Sequence, residues 1–397
     1  MLLQDRWLLP EGIEEILPSE AKRLECLRRQ ILDLFARWGY ELVQPPLIDF
    51  IDSLLVGAGR DLDLQTFKFT DQHSGRLLGV RADMTPQVAR IDAHHLKRNT
   101  PTRLCYLGTV LHTKGESLEK SRSPLQVGAE IYGHGTLESD LEIIRLMLEM
   151  LATTGIQDVH LDLGHVGIFR GLAEQAELDT NQEADLFDVL QRKATRELDE
   201  MLDELELGEA LQTMLAGLIE LNGVDGVGVI ENANKVFEFA EEPVKTALAE
   251  LETIANSIRF LFPAMPINFD LAELRGYHYQ TGIVFAAFVP GCGKEIARGG
   301  RYDNVGQEFG RARPATGFSA DLKVLSGIAS DIPASATKKV FAPFDVSNGG
   351  LRNKIRDLRG SGWIVIEELP GQNGNSLDMG CGYRLEKQGT DWEVKAL

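Results

Sequence analysis

The side chains best suited to chemistry in this sequence are Asp83, Gln126, Glu130, Arg275, Tyr277 and Tyr279. Asp83 follows Val80-Arg81-Ala82, Gln126 and Glu130 lie four apart in an alternating stretch, and Tyr277 and Tyr279 lie two apart. Side chains on a strand repeat every two residues, so this spacing predicts Gln126 and Glu130 on one sheet face and the two tyrosines together on another stretch. Acids beside an arginine and phenols are what a free amino acid needs. Carboxylates pair with its ammonium, and a guanidinium or phenol holds its other polar ends. The same residues also fit a satisfied polar network in a core, and spacing does not separate the two. Generic catalytic signatures are absent: there is no G-x-S-x-G and no H-E-x-x-H, and Gly291-Cys292-Gly293-Lys294-Glu295 lacks the earlier glycine and the hydroxyl residue of a phosphate loop. Cys26, Cys105, Cys292 and Cys381 stand singly with no C-x-x-C pair, which argues against a zinc knuckle, a redox motif or a disulfide framework.

The elements that would position these groups read as α+β. Ser19 is a candidate cap for a helix running to Trp38, with Leu24, Leu27, Ile31, Leu34, Phe35 and Trp38 forming one apolar stripe, closed by Gly39. Residues 40–48 alternate as a short strand cut by Pro45 and Pro46. Residues 66–80 read as a hairpin turning at Asp71–Gly75, and Met84–Leu96 as a helix with Pro86 in its first turn. Strands are predicted over 103–112, 125–133 and 159–164, with a helix over 139–152 between the last two. From Phe169 to Phe262 the period is almost all helical; strands and tight turns return after Pro266.

These boundaries divide the chain into a core, residues 1–165, a helical insertion, 166–264, and a resumed core, 265–330. A linker, 331–337, and a small carboxy-terminal α/β unit, 338–397, complete it. With 397 residues the chain is too long for a single small module. No run approaches the roughly 20 apolar residues that span a bilayer, and Asp5 and Arg6 interrupt any secretory core at the amino terminus, so the expectation is a cytoplasmic protein without membrane contact. Charge opposes nucleic acid as a partner: 41 Lys and Arg face 60 Asp and Glu, a net −19. Over half of that excess falls between Glu174 and Glu209, where an acid-rich helix face in water is the plain reading.

Motif by motif, residues 1–330 resemble the catalytic core of a class II aminoacyl-tRNA synthetase, specifically histidyl-tRNA synthetase. Leu9 to Pro18 and the helix into Gly39-Tyr40-Glu41-Leu42-Val43-Gln44-Pro45-Pro46 resemble motif 1, which forms the dimer interface in that family. Val80-Arg81-Ala82-Asp83-Met84-Thr85 resembles the L-R-P-E-[GM]-T segment, with Asp83 replacing the Glu that meets the histidine ammonium. Leu125 to Gly133 resembles the end of motif 2 and places Gln126 and Glu130 on histidine contacts. Leu274 to Phe285 resembles the histidine-specific segment R-G-L-D-Y-Y-x-x-T-x-F, which carries over Arg275, Tyr277 and Tyr279. Gly299-Gly300-Arg301-Tyr302-Asp303 and Pro314-Ala315-Thr316-Gly317-Phe318-Ser319 resemble the approach to motif 3.

The departures fall on the ATP clamps. The motif 2 arginine that grips the α-phosphate is absent after Tyr106-Leu107-Gly108-Thr109-Val110-Leu111, where His112 and Thr113 stand. The motif 3 arginine that stacks on adenine is replaced in Asp321-Leu322-Lys323-Val324 by Val324. Loss of one such contact typically costs about 3 kcal/mol of transition-state stabilisation, so losing both should end amino-acid activation. His112 and Lys114 read as a solvated loop, with another anion as the alternative. A kept histidine pocket with lost activation resembles one family, the regulatory subunits of ATP phosphoribosyltransferase, paralogues of histidyl-tRNA synthetase. The resemblance implies a chain without catalysis, cofactor or metal of its own. It also implies dimerisation through the motif 1 region, assembly with the short catalytic subunit as a hetero-octamer, L-histidine as ligand in feedback control of the first step of histidine biosynthesis, and no tRNA. A synthetase-like enzyme serving a non-tRNA acceptor, and a scaffold that has lost its ligand, are the alternatives.

Overall fold

The computed structural model describes residues 7–55, 60–115, 121–224, 226–272, 276–277, 279–329 and 338–397. Contacts divide the chain into two compact units, Met1–Ser330 and Asp331–Leu397. The expected linker, 331–337, lies outside the described residues. No helix among those described is long and apolar enough to cross a membrane.

In chain order the first unit runs α1 (Pro18–Arg37), β1 (Glu41–Leu42), β2 (Ile48–Phe50), α2 (Ile51–Leu54), α3 (Arg60–Gln65), β3 (Phe67–Thr70), β4 (Leu77–Val80) and α4 (Thr85–Arg90), which passes into a π-helical turn, Ile91–Leu96. Next come β5 (Thr102–Thr109), β6 (Leu125–Tyr132), α5 (Leu137–Thr153) and β7 (His160–His165). A helical stretch follows: α6 (Val166–Gln175), α7 (Thr180–Gln191), α8 (Thr195–Glu204), α9 (Glu209–Glu220), the short β8 (Asn222–Val224), α10 (Gly226–Val236) and α11 (Glu242–Leu261). The unit closes with β9 (Ile267–Asp270), β10 (Ile283–Phe288), β11 (Ala297–Arg301), β12 (Ala315–Asp321) and α12 (Leu322–Ile328).

Nine of these strands form one sheet in the order β1-β5-β6-β12-β11-β10-β7-β9-β8. All its pairs from β5 to β7 are antiparallel, so the fold is α+β with a mainly antiparallel core. Packing against the sheet explains the helices. In α1 the residues Leu24, Leu27, Ile31, Leu34 and Phe35 are buried, each worth about 1.5–3 kcal/mol. Pro18 at its first position, not Ser19, opens the helix: the cap residue is Leu17 and no side chain caps it. Gly39 closes it in the left-handed region at φ +83°, which only glycine adopts freely. The strand expected over 40–48 shrinks to two residues, because the paired prolines end its ladder.

The second unit is a four-stranded sheet ordered β14 (Ile364–Glu367), β13 (Lys339–Ala342), β15 (Tyr383–Gln388) and β16 (Asp391–Ala396), joined by α13 (Gly349–Gly360). Val340, Ala342, Leu351, Ile355, Val365 and Leu385 form its core. Asn348 caps α13 by accepting from the Leu351 amide at 3.0 Å.

Candidate functional site

β6 lies between β5 and β12, and its even-numbered residues share a face. In register, Tyr106 of β5 stands opposite Gly128, and Gly317 of β12 stands opposite Glu130. Both glycines mark a close approach. A side chain at 128 would overlap the Tyr106 hydroxyl, and one at 317 would overlap both Glu130 Oε2 and the Tyr302 hydroxyl.

Into this space Tyr106 donates to Glu130 Oε1 at 2.9 Å, and Thr85 donates to the same oxygen at 3.1 Å. Glu130 is 1% exposed, yet its Oε2 has no partner among the described residues. The buried hydroxyls of Tyr279 and Tyr302 are equally unpartnered, and their rings stack with centroids 5.0 Å apart. At the neighbouring end of the face, Gln126 Nε2 donates to Asp83 Oδ1 at 2.6 Å while its Oε1 accepts from the Met84 amide at 3.0 Å. The Thr85 amide donates to the same Asp83 oxygen at 3.1 Å.

Electrostatics follow from burial. The Glu130 carboxyl is pushed well above the usual carboxylate range by desolvation, with the Asp83 charge adding to it and the Tyr106 and Thr85 hydrogen bonds opposing it. The Tyr279 phenol is raised by burial first and then by the Glu130 and Asp83 charges. Each buried polar atom left unpaired costs about 1–3 kcal/mol, so these three, two of them meeting above Gly317, define a candidate site that a ligand with matching donors would complete.

The structure thus brings Asp83, Gln126, Glu130 and Tyr279 together, and adds Thr85, Tyr106 and Tyr302, which the sequence reading did not single out. Gly128 inside an alternating strand was the available signal for Tyr106. Arg275 lies outside the described residues. Tyr277 does not join the others. The segment is a turn rather than a strand: Gly276 has φ +74°, and its carbonyl accepts from the amides of both Tyr279 and Gln280 at 2.7 Å. Residues two apart therefore do not share a face. Tyr277 packs against Phe169 of α6 and Phe187 of α7, with centroids 5.1 Å and 5.3 Å away, under the Arg170 guanidinium, and its hydroxyl donates to Glu183.

At the two expected clamp positions, the His112 ring holds the Ala82 carbonyl through Nε2 at 2.9 Å, and Val324 is half-buried on α12. Its neighbour Lys323 is engaged by Glu14 at 2.8 Å and by Ser121 and Ser123 at 3.3 Å. Lys114 is exposed.

Comparison with known proteins places this geometry. Residues 12–325 match the family model described as histidyl-tRNA synthetase, and residues 337–395 match the one described as the ATP phosphoribosyltransferase subunit HisZ C-terminal domain. Histidyl-tRNA synthetase from Nostoc sp. PCC 7120 superposes with a TM-score of 0.77 at 18% identity, covering 98% of this chain and 97% of that one. The core is therefore a class II synthetase fold of the histidyl type. A structure described as an ATP phosphoribosyltransferase regulatory subunit/histidyl-tRNA synthetase from Bacillus halodurans superposes with a TM-score of 0.81 at 28% identity, covering 93% of this chain and 94% of that chain. Curated relatives named ATP phosphoribosyltransferase regulatory subunit are 60% identical over 98% of this chain and 96% of theirs in Methylococcus capsulatus. In Pseudomonas aeruginosa PAO1 they are 52% identical over the full length of both. The chain belongs to the family of ATP phosphoribosyltransferase regulatory subunits.

Proposed function

We propose that this chain is the non-catalytic regulatory subunit of ATP phosphoribosyltransferase, required for the activity of the short catalytic subunit and for its feedback inhibition by L-histidine in the first step of histidine biosynthesis. The observation that carries the reading is the contrast between two halves of one site. Glu130 Oε2 and the Tyr279 and Tyr302 hydroxyls stand buried without a partner among the described residues, as a pocket for a cationic, hydrogen-bonding amino acid requires. The positions that would grip ATP hold His112, engaged with a backbone carbonyl, and Val324, which carries no charge.

In this proposal Asp83 and Gln126 receive the histidine ammonium, Glu130, Tyr279 and Tyr302 receive its imidazole, and Arg275 holds a further polar end. Aminoacylation is lost, tRNA is not a partner, and no cofactor or metal is used. The chain works in the cytoplasm, dimerises through the motif 1 region around α1, and joins the catalytic chains in a hetero-octamer. Histidine then acts only by its differential affinity for the inhibited and active states of the complex.

The test is phosphoribosyltransferase activity of the short catalytic subunit from the same genome, titrated with this chain with and without histidine. Activation that saturates at a fixed stoichiometry and reverses with histidine is expected. Absence of both activation and co-elution would overturn the reading. ATP/pyrophosphate exchange with histidine should stay at background, and measurable exchange would favour a synthetase-like ligase instead.

A further inference from the structure

A second concavity, an open cavity of about 350 Å³, is lined by His94, Lys97, Asn99, Phe309 and Arg311 among others. Lys97 follows the π-helical turn and takes the left-handed conformation at φ 50°, which a lysine adopts only at some cost. Two cations border the space. The Lys97 ammonium has no carboxylate partner among the described residues. Among the described residues the Arg311 guanidinium meets neutral oxygens: Nη2 donates to the Arg98 carbonyl at 2.7 Å and to Asn99 Oδ1 at 2.9 Å, while Nη1 is buried with no acceptor among them.

Among the described residues, Asp92 and Glu41 nearby are already committed. Asp92, one turn before Lys97, holds Arg313 through both carboxylate oxygens at 2.8 and 2.9 Å. Glu41 holds the Arg98 guanidinium. In a chain of net charge −19, these two cations facing one cavity repel each other and find no counter-ion among the described residues. An exposed lysine alone would be ordinary. The guanidinium with an unmade hydrogen bond beside it, at the same open cavity, is not.

We propose that this cavity binds a phosphate group of a small molecule. The guanidinium supplies a planar fork, the ammonium a point charge and the His94 imidazole a third donor at the rim, a combination suited to a multiply charged oxyanion more than to a single carboxylate. The volume lies at the small end of ligand cavities and leaves room for a substituent beyond the phosphate. The inference is independent of the regulatory reading and of the histidine pocket.

Calorimetric titration of the full-length chain with inorganic phosphate at low ionic strength tests it. Saturable binding is expected, weakened about tenfold or more in Lys97→Asn, a residue that tolerates the left-handed backbone, because one charge-assisted contact is removed. Arg311→Gln should weaken it likewise. Histidine binding measured on Lys97→Asn should match the wild type, which separates this site from the other pocket. Absence of saturable phosphate heat, or equal phosphate affinity in wild type and Lys97→Asn, would overturn the proposal.

Discussion

Glu130 Oε2 and the Tyr302 hydroxyl meet the same small volume above Gly317, and neither has a partner among the described residues. Glycine at 317 is what keeps that volume open, since any Cβ there overlaps both polar atoms. Gly317→Ala should therefore remove histidine binding measured by calorimetry, and overpacking should lower stability by about 1–3 kcal/mol in urea denaturation. Retained affinity would mean that histidine binds elsewhere.

Glu130 also makes stability depend on pH. Its carboxyl is raised in the folded chain above the ordinary value of 4.5, chiefly by burial. The native state keeps this proton where the unfolded chain has lost it, so the contribution is fully present below 4.5 and disappears as pH rises through the raised native value. Glu130→Gln lacks this dependence. The stability of wild type relative to Glu130→Gln should fall as pH rises from weakly acid toward neutral, read from urea midpoints along a pH series. A difference independent of pH would show that folding does not shift the Glu130 carboxyl. If histidine binds the ionised form, its binding also releases a proton, which calorimetry in buffers of different ionisation enthalpy detects.

The elements were legible where periodicity is strong. The stripe of α1, the hairpin of β3 and β4 around Asp71, and the alternation of β5 and β6 follow from side-chain spacing alone. So does the shared face of Gln126 and Glu130, because strand alternation is geometric. Tyr277 and Tyr279 misled for the converse reason: their spacing suits a strand, but Gly276 at positive φ makes the segment a turn, and a turn has no period of two. The break of Met84–Leu96 into α4 and a π-helical turn is a change in hydrogen-bond register that apolar spacing does not encode. Tyr302 was hidden because its role depends on β12 pairing with both β6 and β11, a long-range arrangement.

A buried ion pair ties the π-helical turn to the segment entering β12. Arg313, just before β12, holds Asp92 of the π-helical turn, with side chains 8% and 2% exposed, and also donates to the Thr100 carbonyl at 2.7 Å. Removing one partner strands the other charge without water, so Arg313→Met should cost about 3–5 kcal/mol in urea denaturation. Arg313→Met combined with Asp92→Leu should recover much of that loss, because neither charge is then buried alone. A double variant as unstable as the sum of the two single ones would show that the pair acts through geometry more than charge.

Tyr277 separates a pocket role from a packing role. Its hydroxyl donates to Glu183 and its ring packs against Phe169 and Phe187, which ties it to the helices after β7. Tyr277→Phe keeps the ring and removes the hydrogen bond to Glu183, which should cost about 1 kcal/mol and speed amide exchange in α6 and α7. Histidine affinity should stay at the wild-type value. Tyr279→Phe, which removes a buried hydroxyl, should instead weaken histidine binding about tenfold with little change in stability, since that hydroxyl has no partner among the described residues to lose. Equal effects of the two substitutions on affinity would return Tyr277 to the pocket and contradict the turn at Gly276 as the reason for its exclusion.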